Sequence, residues 1–154
     1  MNIRSRLSRL FRQKGGSRGA GSPDPDDPNL VVVVEAADET ESASEVLARS
    51  PAWTPESPVV LRYRFAIGPT ASRELSAPLE AEGWLLRTGT ETEDAAPTAG
   101  QEPMTLIAQC VRLIDAVTCA RENSRMVGLA QRHGANLLGW QALQPPSRSD
   151  RPRK

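Results

Sequence analysis

Three side chains have the chemistry of catalysis or metal binding in their own right: His133, the single histidine, and the thiols of Cys110 and Cys119. An imidazole titrating near ~6.5 is the usual general base at neutral pH, and an adjacent thiol is a nucleophile it can activate. The spacing opposes that pairing. Cys119 stands fourteen residues before His133 on one predicted helix, which at ~1.5 Å per residue separates them by about 21 Å. Nothing in the sequence directs Cys110 at His133. The cysteines lack C-x-x-C spacing, and one histidine cannot complete a four-ligand site with them. No metal or other cofactor is therefore expected, and both cysteines read as free thiols of a reducing compartment. His133 reads as a helix-end residue meeting the last carbonyls and the negative helix terminus. No G-x-G-x-x-G, P-loop, G-x-S-x-G or H-E-x-x-H is present. The acids after Asp38 lack the glycine and spacing of a calcium loop. The expectation is a non-enzymatic protein.

The elements that position these residues are read from periodicity. In "VVLRYRFAI", Val59, Leu61, Tyr63, Phe65 and Ile67 point one way; Val60, Arg62, Arg64 and Ala66 point the other. That period of two predicts a strand with one buried face. "GPTASRELSAPLEAEG" predicts a helix with Leu75 and Leu79 four apart and Gly83 just past its end. Pro78 either kinks that helix or stands in the first turn of a shorter one starting near Ser76. "WLLRTGT" and "MTLIAQCVRLID" predict strands, with a mobile loop between them. "AVTCARENSRMVGLAQRHG" predicts a helix with Cys119, Met126, Ala130 and His133 on one face, and Leu129 beside them. "ANLLGWQAL" predicts the last strand, with Gly134 ending the preceding helix in the left-handed region. Gly139 marks a bulge or a close backbone approach.

Residues 59–143 thus run strand, helix, strand, strand, helix, strand. The predicted class is α+β: a ferredoxin-like βαββαβ antiparallel sheet with helices on one face, plus an N-terminal strand/helix extension over 29–58 and disordered tails. In the extension, "NLVVVVEA" predicts a strand buried on both faces, with a helix start as the competing reading. "DETESASEVLARS" predicts a helix capped at Asp38 with Glu41 as capping partner, presenting Ala43, Val46 and Leu47. Residues 1–28 read as a basic tail followed by the flexible linker "GGSRGAGSPDPDDP". Residues 144–154 read as a disordered basic tail.

The chain has 154 residues and a formal net charge of zero, with 38% hydrophobic residues and 13 prolines. That charge is unevenly placed, so local charge carries the argument. The stretch from Asp24 to Glu45 is acidic. Arg4, Arg6, Arg9, Arg12 and Lys14 surround an apolar stripe of Ile3, Leu7, Leu10 and Phe11. These five cations are the candidate contacts for RNA or an anionic membrane surface; the alternative is a solvated tail, transiently helical at most. No apolar run approaches the ~20 residues of a membrane span, and no secretory signal is recognised, so a cytoplasmic protein is expected. Arg62 and Arg64 are expected on an exposed sheet face, as candidate partner contacts or solvated charges. Tyr63 and Phe65 point away from them, which removes the stacking platform a sheet uses on RNA. Trp140 is a candidate core plug or interface anchor.

The closing pattern resembles a known family. A helix ending "MVGLAQRHG", a short gap, then a strand holding "GW" is similar to the regulator of ribonuclease E activity B family, whose members close with A-x-x-x-G-G-x-Y-D-G-W. The matching positions are Ala130, Gly134, Ala135, Leu137, Leu138, Gly139 and Trp140. "SPVVLRYRFAIGPTASRELSAPLEAEGW" is similar to that family's opening strand, helix and Gly-aromatic turn, so the resemblance covers roughly 51–143. Ala135 replaces the second glycine, Leu137 the tyrosine and Leu138 the aspartate. Characterised members are acidic proteins that bind and restrain an RNA-degrading enzyme. The resemblance implies the fold and a protein-binding regulator, with a ribonuclease as partner by resemblance only; this chain lacks the family's acidic tail. The expected function is regulatory protein binding. The alternative is an RNA-binding or membrane-surface module built on the basic N-terminal segment.

Overall fold

The computed structural model describes residues 22–38, 40–89 and 104–147. The stretch holding Arg4, Arg6, Arg9, Arg12 and Lys14, residues 90–103 and the last seven residues lie outside the described residues. Along the described chain come β1 (Val31–Ala36), α1 (Ala43–Ala48), β2 (Val59–Ile67), α2 (Pro69–Ala81), β3 (Leu85–Gly89), β4 (Met104–Arg112), α3 (Ala116–Arg132) and β5 (Asn136–Gln144). The class is α+β. The strands form one antiparallel sheet in the order β1-β5-β2-β4-β3.

The strand with the clearest alternation takes the middle of the sheet. Val59, Leu61, Tyr63, Phe65 and Ile67 of β2 are buried, and they share one core with Leu75 and Leu79 of α2 and with Cys119, Met126, Leu129 and Ala130 of α3. Antiparallel pairing flanks β2 on both sides: Tyr63 lies opposite Ala108 of β4 and Trp140 of β5. Burying several large side chains at about 1.5–3 kcal/mol each is what offsets the ordering of this segment.

The N-terminal extension joins the same sheet. β1 is a strand, so that alternative is decided, but it is an edge strand rather than one buried on both faces. It pairs with β5 alone, from Val31 opposite Gln144 to Ala36 opposite Trp140. Val31 and Val32 are 40% and 45% exposed, while Val34 and Ala36 enter the core. A bulge between Val32 and Val34 shifts the side-chain phase, which a run of identical valines cannot reveal.

Caps and breakers account for the helix limits. α1 starts later than expected: Ser42 is the N-cap, its hydroxyl accepting from Glu45 N at 3.3 Å. Asp38 instead closes a turn onto Thr40, accepting from its backbone N–H and hydroxyl at 2.8 Å. Ala43, Val46 and Leu47 are buried as expected. α2 runs through Pro78, with Pro69 in its first turn, so the shorter helix from Ser76 is excluded. Asp115 and Thr118 form a reciprocal capping box on α3. Gly83 (φ +94°) and Gly134 (φ +67°) follow the ends of α2 and α3.

Candidate binding face

The reactive groups are dispersed. Cys119 is buried in α3 and Cys110 is half-buried in β4, both free. Burial pushes the Cys110 thiol up to about 11 and the Cys119 thiol up to about 12, far from the thiolate a nucleophile needs. Cys119 lies in the first turn of α3 and His133 just past its last residue, so most of the helix separates them. The backbone N–H of His133 donates to Leu129 and Ala130 carbonyls. Its ring does not fold onto those carbonyls as expected: Nδ1 lies 3.4 Å from Glu74 Oε2 of α2. Among the described residues no group of three or more His, Cys, Asp or Glu is placed to hold a metal ion.

Trp140 is 2% exposed and belongs to the core; of its two expected roles this is the core plug. Its ring stands 6.4 Å from Tyr63, and Tyr63 meets Trp84 edge-on at 5.8 Å. The Asn123 amide of α3 joins the two polar tips. In the orientation that satisfies every atom, its oxygen accepts from Trp140 Nε1 at 3.2 Å. Its nitrogen then donates to the Tyr63 hydroxyl and to the Cys119 carbonyl. An asparagine in a helix reads from sequence as facing water; nothing local marks it as the partner of two buried rings. Beside this node, Arg112 stacks over Trp84 at 5.1 Å and pairs with Glu122 at 2.9 Å. Arg125 ties Glu122 to Glu82.

The face of the sheet turned from the helices is different in character. Register places Glu35, Gln141, Arg62, Gln109 and Leu85 in one row across all five strands. Gln141 Nε2 donates to Glu35 at 3.0 Å, and Arg62 Nε donates to Gln109 Oε1 at 3.2 Å. The next row holds Gly139, Arg64, Ile107 and Arg87. Arg62 and Arg64 were expected on an exposed surface; both are half-buried. Burial lowers the Arg62 pKa from its ordinary value, and the like charge of Arg64 adds to the effect. The Arg64 Nε is buried and has no hydrogen-bond acceptor among the described residues. Neither guanidinium has a carboxylate partner among the described residues.

This face also carries part of the segment that composition alone assigns to a flexible linker. Ser22–Leu30 forms two turns, with Asp27 N donating to Asp24 O and Leu30 N to Asp27 O. Pro23 is buried. Arg87 Nη2 donates to both carboxylate oxygens of Asp26, at 2.8 and 3.0 Å. Since Arg87 shares its row with Ile107 and Arg64, the segment lies on the side away from the helices. It runs there from edge strand β1 to a residue of the opposite edge strand β3. Val60 and Leu143, on the same side, are buried as well. The ion pair is exposed on both partners, a class worth about 0–1 kcal/mol.

Two shallow grooves, of about 520 and 650 Å³, flank α3: one against the end of β1 and the start of β5, the other against the start of α1. Neither gathers a nucleophile with a base. No helix among the described residues is long and apolar enough to cross a membrane. No family model matches the chain, and neither a curated protein nor a solved structure matches it.

Proposed function

We propose that this chain is a non-enzymatic regulatory domain that binds a protein partner through the sheet face bearing Arg62 and Arg64. The observation that carries the reading is the adjacent pair of half-buried guanidinium groups without a carboxylate among the described residues. Burying like charges together costs stability unless something supplies the opposite charge, and a bound partner would supply it. We further propose that β2 to β5 with α2 and α3 form a ferredoxin-like unit resembling the regulator of ribonuclease E activity B family. The order β5-β2-β4-β3 and the wholly antiparallel pairing support this. In that reading the partner is a ribonuclease, bound and restrained rather than chemically altered. Tyr63 and Phe65 are buried, which disfavours a base-stacking RNA module on this sheet.

The test is affinity capture with the full chain from cell lysate, read by mass spectrometry, beside the Arg62→Ala/Arg64→Ala variant. The reading expects a stoichiometric protein partner that the variant loses. Equal recovery by both chains refutes the assigned face, and capture of RNA alone refutes the assigned partner class.

A further inference from the structure

We infer that the acidic segment Ser22–Leu30 is a built-in occupant of this basic face, and that the face takes an acidic peptide of the partner in its place. The inference rests on the binding role proposed above and adds the ligand class and its control. Three arginines, Arg62, Arg64 and Arg87, project from neighbouring positions on one side of the sheet. The segment on that side carries Asp24, Asp26 and Asp27 between prolines. One of its carboxylates already occupies Arg87, both oxygens meeting one guanidinium nitrogen. The segment thus marks the ligand class the face takes: a proline-punctuated chain with closely spaced carboxylates.

The attachment is weak by construction. The Asp26–Arg87 pair is more than half exposed on both sides, so it is screened by salt and readily exchanged. Asp24 and Asp27 spend side-chain oxygens on the segment's own turns, accepting from Asp26 N and Asn29 N at 2.9 Å. Arg62 and Arg64 stay without a carboxylate among the described residues while the segment is in place. A partner peptide able to reach all three arginines displaces it, and tethering through β1 sets the local concentration it must overcome.

The experiment uses a fluorescent peptide with the sequence of residues 22–30, titrated into the full chain by anisotropy. The Asp24→Asn/Asp26→Asn/Asp27→Asn variant is expected to bind it at least tenfold more tightly than the unaltered chain. Adding Arg62→Gln/Arg64→Gln to that variant is expected to abolish the gain. Equal affinity of variant and unaltered chain overturns the inference, as does preference of the variant for single-stranded RNA over the peptide. Hydrogen exchange on the unaltered chain gives a reading that needs no substitution: excess peptide should speed exchange at residues 24–30, and unchanged rates overturn the inference. If lysate capture depends on Arg62 and Arg64 but is not raised by the aspartate substitutions, the built-in occupant fails and the binding face stands. If capture ignores both arginines, the binding face itself fails.

Discussion

Gly139 and Ala36 meet backbone to backbone: a Cβ on Gly139 would lie 2.3 Å from the Ala36 carbonyl oxygen. Gly139 also sits at φ +137°, where side chains are strained, beside the register shift between β2 and β5. Gly139→Ala is therefore expected to cost about 3 kcal/mol or more, loosening β1 from β5. Gly128, inside α3 with open space around it, gives the opposite sign: Gly128→Ala should stabilise by about 0.5–1 kcal/mol. Urea denaturation of both variants checks the pair, and a neutral Gly139→Ala would contradict the close approach.

The amide of Asn123 holds Tyr63 and Trp140 together. Asn123→Ala removes the acceptor of the Trp140 indole N–H and the donor to the Tyr63 hydroxyl, and is expected to cost about 1–3 kcal/mol. Tyr63→Phe should cost less, and the double variant less than the sum, because both changes act on one network. Thermal melts of the three chains read this. Additive effects would mean that the groups are independent.

Tyr63 is the chain's single tyrosine, so phenolate absorbance near 295 nm reports on it alone. Burial pushes its hydroxyl far above the ordinary range. An alkaline titration should show no phenolate until the protein unfolds, and then an abrupt rise. A smooth titration near pH 10 with the fold intact would refute its enclosure.

The two thiols set the sign of the alkaline limit. Each keeps its proton to higher pH in the fold than the ordinary thiol value of 9.0, up to about 11 for Cys110 and about 12 for Cys119, with burial the main cause. Below pH 9 both are protonated, folded or unfolded, and contribute no slope. Above it the unfolded chain releases these protons first, so stability falls as pH rises from about 9 towards 11 and 12. Cys110→Ser/Cys119→Ser should flatten that fall in denaturant midpoints measured between pH 8 and 11. A disulfide exchange reagent at pH 8 should likewise label neither thiol until denaturant is added.

His133 is expected to matter little. Its ring meets an exposed glutamate at 3.4 Å, and His133→Ala should change stability by less than about 0.5 kcal/mol. Gly134→Ala next to it should cost about 1–2 kcal/mol, because φ is +67° there. A reversed order would return the histidine to the centre of the question.

Features written in local periodicity were the ones legible beforehand. The alternation from Val59 to Ile67 located the central strand and the inward ring of Tyr63. Gly134 and Gly139 announced a helix end and a close approach. What sequence left hidden was settled at long range or between equal local choices. Asp38 and Ser42 both satisfy the chemistry of an N-cap, and packing of Val46 and Leu47 selects Ser42. Asp26 and Arg87 lie 61 residues apart, so no pattern pairs them, and composition could only assign the acidic stretch to a linker. The half-burial of Arg62 and Arg64 likewise depends on what lies over them.

The pairing of β1 with a single neighbour has a mechanical consequence. Val31 lies opposite Gln144 and Ala36 opposite Trp140, so a pull on the chain ahead of Val31, directed away from β5, loads these pairs one at a time. The strand peels like a zipper instead of resisting as a sheared block. Once the exposed Asp26–Arg87 pair has let go, the pairs between β2 and β4, which share no residue with β1, carry none of that load until the peel is complete.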